Sequence, residues 1–196
     1  MWRPPVPLID AALAHYCQAH RAYHDAHHVE ELLGLAEAHA PDLSEAEGLA
    51  ILFHDAVYVP GAPHGVNEDL SARIMDATVA ALVRAGRIES PSREVLDVAA
   101  AIVRATTHAE PPPAFAARVC DLDLWRLAAP WEDFQRHALG IRHEYLFLRG
   151  DDASFWAGRH AFYRAMLEKP ALFSTRYFRE RFEPAARDNM RRALAA

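Results

Sequence analysis

Histidine and aspartate are the residues of this chain best suited to chemistry, and several fall at places where helices meet loops. His54-Asp55 closes the apolar run Leu49-Ala50-Ile51-Leu52-Phe53, and the breaker-rich segment Val59-Pro60-Gly61-Ala62-Pro63-His64-Gly65 follows almost at once. A pair at that boundary is anchored by a packed helix and open to solvent. Imidazole nitrogen beside hard carboxylate oxygen is a mixed donor set typical of Mn, Fe, Co, Ni or Zn sites that keep room for water. A His-Asp dipeptide alone is common and reads equally well as a helix end. Its company raises the signal: His24, His27 and His28 stand near the start of a preceding helix, His108 ends a later one, and Asp121 and Asp123 bracket the start of the next element. On a helical reading His24 and His28 are one turn apart on one face. With 12 histidines in the chain some are surface decoration, and His15, His20, His39, His137 and His160 are placed in that group.

The frame that must position these groups is all-α. Apolar residues recur at intervals of three and four, and alternating β-branched runs are scarce, which predicts roughly eight to ten helices. Leu8 to Gln18 reads as the first, and Asp25 caps a second reaching about His39. Ser44-Glu45-Ala46-Glu47 has the capping-box pattern and starts a third that ends around His54 or a turn later. Further helices are expected over about Asn67–Arg84, Ser92–Thr107, Trp131–Leu148 and Ala153–Glu168, with a short element beginning at Asp121 and a last helix beginning near Pro184.

Length and composition fit one domain over residues 1–196: at 52% hydrophobic the chain can bury a full core. Cys17 and Cys120 share no CxxC spacing, read as buried small hydrophobes and fit a reducing cytoplasm. The amino-terminal segment lacks a basic region followed by a long apolar run, and charges interrupt every hydrophobic stretch, so no membrane partner is expected. A net charge of −6 argues against nucleic acid as the main partner. Lys169 is the only lysine, so nearly every cation is a guanidinium fork suited to phosphate or carboxylate.

Taken in order, Tyr23-His24-Asp25-Ala26-His27-His28, Phe53-His54-Asp55-Ala56-Val57-Tyr58, Asn67-Glu68-Asp69-Leu70-Ser71-Ala72, Thr106-Thr107-His108 and Asp121-Leu122-Asp123-Leu124 form a series resembling the HD superfamily of metal-dependent phosphohydrolases. The likeness continues through Ile141-Arg142-His143-Glu144-Tyr145, Gly158-Arg159 and Ala186-Arg187-Asp188-Asn189, and is closest to a bacterial group of HD hydrolases of unassigned substrate. It spans nearly the whole chain, departing where the family motif has Asn and this chain has Asp25. The resemblance implies a single HD-type helical domain with additional C-terminal helices. It makes His28, His54, Asp55 and Asp123 the ligands of one divalent ion (Mn, Mg, Co, Ni, Fe or Zn), with Asp121 the alternative fourth ligand and His27 the competitor of His28. Such an ion lowers the pKa of a water and polarises a phosphoryl group. Asp55 is then the first candidate to orient or deprotonate that water and Glu68 the second, although Glu68 reads equally as a carboxylate favouring a helix N-terminus. His24, His108, Arg142 and Arg159 are the candidate substrate-binding groups, with Arg187 behind them; any of these arginines can instead serve a structural ion pair.

The expected activity is hydrolysis of a phosphate ester of a nucleotide or another small phosphorylated metabolite. The alternative is a non-catalytic metal- and nucleotide-binding regulatory module. Alarmone hydrolysis fits less well, because Val57-Tyr58-Val59-Pro60 stands where those enzymes carry a Glu-Asp pair. A di-iron oxygenase would need further histidines after His54-Asp55, where only His64 and His108 are available.

Overall fold

The computed structural model of the chain describes residues 2–148 and 151–195. Among them there is no strand. Nine α-helices follow one another: α1 (Val6–Leu13), α2 (Ala26–His39), α3 (Glu45–Phe53), α4 (Val66–Arg84), α5 (Arg93–Ala105), α6 (Ala117–Leu124), α7 (Trp131–Leu148), α8 (Asp152–Glu168) and α9 (Arg176–Ala195). Short 3-10 turns at Ala14–Tyr16 and Trp125–Ala128 extend α1 and α6. No helix among the described residues is long and apolar enough to cross a membrane.

The centre of the fold is α3. Every residue from Ala46 to Phe53 is buried, the behaviour of a helix whose surface is apolar on all sides. Its start is fixed by the expected capping box, in which Ser44 Oγ accepts from Glu47 N at 3.3 Å and Glu47 Oε2 accepts from Ser44 N at 2.9 Å. Arg118 of α6 ties the same carboxylate down from outside, at 2.8 Å from each oxygen. Helix α5 packs on α3 and α4, α2 and α6 close two further sides, α7 and α9 pack on the Trp125–Ala128 turn, and α8 packs on both of them.

Four expectations need correction. Helix α1 is shorter than predicted, because the chain tightens to 3-10 geometry at Ala14–Tyr16, burying Tyr16. Asp121 lies inside α6 rather than at its start. Helix α9 begins eight residues before Pro184, which stands in its interior. Proline there removes one backbone hydrogen bond, but Phe178 before it and Ala186 and Met190 after it are buried, and that packing carries the helix through. Cys120 is buried as expected, whereas Cys17 is exposed.

Candidate metal centre

Two helix ends place the histidines. Asp25 caps α2 by accepting from His28 N at 3.2 Å, which fixes His28 in the first turn with its ring fully buried. His54 is the C-cap of α3, and the backbone beyond it is held by groups that leave no local signature. Tyr16 Oη donates to Leu52 O at 3.1 Å and accepts from Asp55 N at 3.2 Å. Arg21 donates to His24 O at 2.6 Å, Asp55 O at 2.8 Å and Ala56 O at 3.0 Å, so one buried guanidinium satisfies carbonyls in the loop before α2 and in the segment after α3.

Four donors converge from α2, α3 and α6. His28 Nε2 and His54 Nε2 are 3.1 Å apart. Asp55 Oδ2 lies 3.1 Å from His54 Nε2 and 3.8 Å from His28 Nε2. Asp123 Oδ1 stands 3.5 Å from His28 Nε2 and 3.7 Å from His54 Nε2. His54 Nδ1 donates to Ile51 O at 3.0 Å, which turns Nε2 to the cluster. His28 Nδ1 is buried without a hydrogen-bond partner, so the polarity of that ring is directed to the cluster through Nε2.

Charge tests whether these residues fit a metal. Burial opposes ionisation of Asp55 and Asp123, yet the imidazoles around them outweigh it and hold both carboxyls well below the usual range. Burial also opposes protonation of His54, but the two carboxylates overcome it and lift this imidazole to about 9. His28 is pushed down to about 4, by burial and by the adjacent His54. Without a cation the cluster therefore holds one proton against two carboxylates. A divalent ion with two neutral imidazoles and two carboxylates balances the charge and uses every inward donor, so the donor set fits such an ion.

Asp121 is not part of this cluster. Its Oδ1 accepts from Ser174 N at 2.6 Å and its Oδ2 from Thr175 N at 2.8 Å, so it closes the segment that opens α9. Residues two apart on a helix face opposite ways, and α6 turns Asp123 to the histidines and Asp121 to α9. His27 is exposed and lies 3.9 Å from Glu30, away from the cluster. His24 precedes α2 instead of sharing its face, although its ring still meets that of His28 edge-on at 6.0 Å.

A cavity of about 190 Å³ opens beside the cluster and takes in His24, Glu68, His108 and Arg159 together with Asp55 and Asp123. Glu68 reaches it from the first turn of α4. His108 Nε2 meets Asp123 Oδ2 at 2.7 Å, and its backbone has a left-handed φ of 53°, held by Lys169 Nζ donating to its carbonyl at 2.8 Å. The only lysine is thus engaged with backbone. Arg142 does not line the cavity: it pairs with Asp152 at the start of α8. Arg187 is structural as well, donating to Leu167 O at 3.0 Å and Lys169 O at 2.7 Å.

The cavity also contains groups that sequence reasoning left out. His137, assigned to surface decoration, lines it, and burial together with the nearby Arg126 pushes this imidazole down to about 4. Tyr23 stacks on His28 at 5.3 Å, and Tyr58 stacks on His24 at 3.8 Å. Glu144, fully buried on α7, is the clamp beneath His24. Its Oε1 accepts from the backbone N–H of Ala22 at 2.9 Å and of Tyr23 and His24 at 2.8 Å, while Oε2 meets His24 Nδ1 at 2.7 Å. Gly140, one turn earlier, permits that approach, since a Cβ there would stand 2.7 Å from Ala22 O. The acidic residue in Arg142-His143-Glu144 was visible in sequence, but a helix of 18 residues gives no sign of which side faces a loop 120 residues away.

Comparisons with protein-family models, with curated proteins and with solved structures find no match.

Proposed function

We propose that the protein is a metal-dependent phosphohydrolase of the HD type, acting on a small phosphorylated compound such as a nucleotide. The observation that carries this reading is the convergence of His28, His54, Asp55 and Asp123 at the wall of a cavity that also holds Arg126 and Arg159. Cation donors and anion-binding forks in one small space suit a phosphate ester better than a neutral substrate.

A divalent ion bound by the four donors would supply Lewis-acid polarisation of a phosphoryl oxygen and a lowered pKa for an attacking water. The chain's own residues do the rest. Asp55, facing the cavity, orients the water, and Glu68 is the further carboxylate in reach of the same space to take its proton. His108 holds the second oxygen of Asp123, so that carboxylate keeps one orientation. His24, clamped by Glu144 and stacked on Tyr58, presents a fixed imidazole edge to a phosphoryl oxygen. The cavity is smaller than the roughly 300 Å³ at which enclosed sites for drug-sized ligands begin. A neighbouring cavity of about 470 Å³ shares His108 and Leu124 with it and offers room for the organic part of the ester.

The test is to load the purified chain with Mn, Co, Ni or Mg and assay nucleotides and simple phosphate esters. The expected result is stoichiometric metal and metal-dependent phosphate release, both lost in His54→Ala. Well-folded protein that takes up no metal overturns the site; bound metal with no turnover of any ester favours the regulatory module.

A further inference from the structure

Arg126 lies on the 3-10 turn just after α6, three residues beyond Asp123, and only 5% of it is exposed. Burying a guanidinium is costly unless its charge and its donors are used. Glu31 accepts from its Nε, and the ring of Tyr23 lies under it at 4.6 Å. That same ring stacks on His28, so a single aromatic side chain separates Arg126 from a donor of the metal cluster. Arg159 enters from α8 in a parallel way: its Nε donates to Tyr163 Oη at 2.9 Å, and its guanidinium rests on Phe162 at 5.0 Å and Tyr163 at 4.8 Å. In both side chains the Nε–H is committed to the protein, and both residues line the cavity. His137, whose buried Nδ1 has no hydrogen-bond partner, stands in the same wall.

With a divalent ion balanced by Asp55 and Asp123, two guanidinium groups stand against the Glu68 carboxylate in the cavity wall, and Glu31 offsets one of them, so these groups carry no net excess charge. What the two forks and the ion offer is a set of directed contacts for oxygen: a phosphate monoester has three terminal oxygens to meet them, a diester only two. We infer that Arg126 and Arg159 form the anion-binding end of the cavity and select a phosphoryl dianion, the terminal phosphate of a monoester, over the singly charged phosphate of a diester. The inference rests on the phosphohydrolase reading for its biological sense, but the binding it predicts does not require turnover. Arg126 is a substrate-binding residue on this reading, in the place that sequence reasoning gave to Arg142.

The test is calorimetric titration of the full chain, with and without Mn²⁺, using inorganic phosphate and dimethyl phosphate as probes. Phosphate is expected to bind the Mn²⁺-loaded protein, and dimethyl phosphate at least about tenfold more weakly. Arg126→Gln and Arg159→Gln should each weaken phosphate by about 10–100-fold, the scale of a lost charge-assisted contact, with Mn²⁺ affinity within about threefold of the parent. Glu31→Gln, which breaks the ion pair but keeps the guanidinium, should retain phosphate binding; this separates anion recognition from loss of the helix-tying pair. Should Arg126→Gln not fold, Arg159→Gln carries the test. Phosphate affinity unchanged in the arginine variants, equal binding of the two probes, or no phosphate binding by the metal-loaded parent overturns the inference. Arginine-dependent phosphate binding without hydrolysis of any ester leaves it standing and overturns the phosphohydrolase reading instead.

Discussion

His28, His54, Asp55 and Asp123 come from segments that all lie within the first 124 residues, whereas Arg126, His137 and Arg159 of the adjoining cavity wall come from the turn after α6 and from α7 and α8. The first three donors sit at helix termini, where a cap or a breaker in the sequence fixes both the position and the direction of the side chain. Two of the other three lie within long helices and reach the cavity only because of the way those helices are rolled against the rest. The contrast separates the proposed cation-binding group, written in local signals, from the proposed anion-binding group, written in packing, and each is expected to be perturbed without the other.

Breaking the cation end should have the largest effect. Asp123→Asn is expected to weaken metal binding by more than about 100-fold, beyond the 10–100-fold typical of changes to outer partners, while the melting temperature stays near that of the parent. Competition with a chelating indicator measures the first and thermal unfolding the second. Asp121→Asn, two residues away, should do the reverse, keeping the metal and costing about 1–3 kcal/mol through the backbone bonds that open α9. Equal metal loss in both variants would show that α6 presents its aspartates otherwise than described.

Glu144→Gln sharpens the comparison, because its carboxylate ties α7 to the loop before α2 and so links the two ends. Loss of a buried charge that accepts three backbone bonds should cost about 2–3 kcal/mol in urea unfolding at pH 7. The pH dependence has a definite sign. His24 and the backbone donors outweigh burial and hold Glu144 below its ordinary 4.5, so its contribution is full above pH 4.5 and fades as pH falls through the lower folded value. The parent should lose stability on acidification over that window, and Glu144→Gln should show a shallower slope.

Proton linkage tests the cation end more gently. Because His54 is held near 9 when no cation is bound, metal uptake at pH 7 should release close to one proton from it. Apparent affinity should fall by about tenfold per unit as pH drops below that value; calorimetry in buffers of different ionisation enthalpy counts the proton. The smallest effect is expected from Arg142→Gln. Its exposed pair with Asp152 lies outside the cavity, so metal binding and phosphate affinity should stay within about twofold, as is common for surface ion pairs. A loss comparable to that of Arg126→Gln would collapse the distinction between the two arginines.

Much of the frame was legible because its signals are local. Asp25 and the Ser44–Glu47 capping box mark two helix starts, and both side chains accept from the backbone where expected; Ser92, read as the first residue of a helix, is the N-cap of α5. His28, His54 and Asp55 stand at those boundaries, but their selection as one ligand set is what the resemblance to the HD superfamily implies. Pro184 misled, since its usual role at a helix start was overridden by burial on either side of it. Glu144, Gly140, Arg126 and His137 could not be singled out, because each acts on a partner far away in sequence or across a cavity that no single helix encloses.

By itself the sequence determined an all-helical chain, the starts of its principal helices and a set of histidines and aspartates with metal-ligand chemistry. Those features depend on periodicity and on hydrogen bonds that close within a few residues. The tertiary structure alone decided that Asp123 and not Asp121 turns to the histidines, that Arg126 and Arg159 rather than Arg142 line the cavity, and that Glu144 locks the loop bearing His24. Spacing fixes the angle between residues on one helix but leaves its rotation about its own axis free. That rotation is set when apolar faces from distant segments pack together.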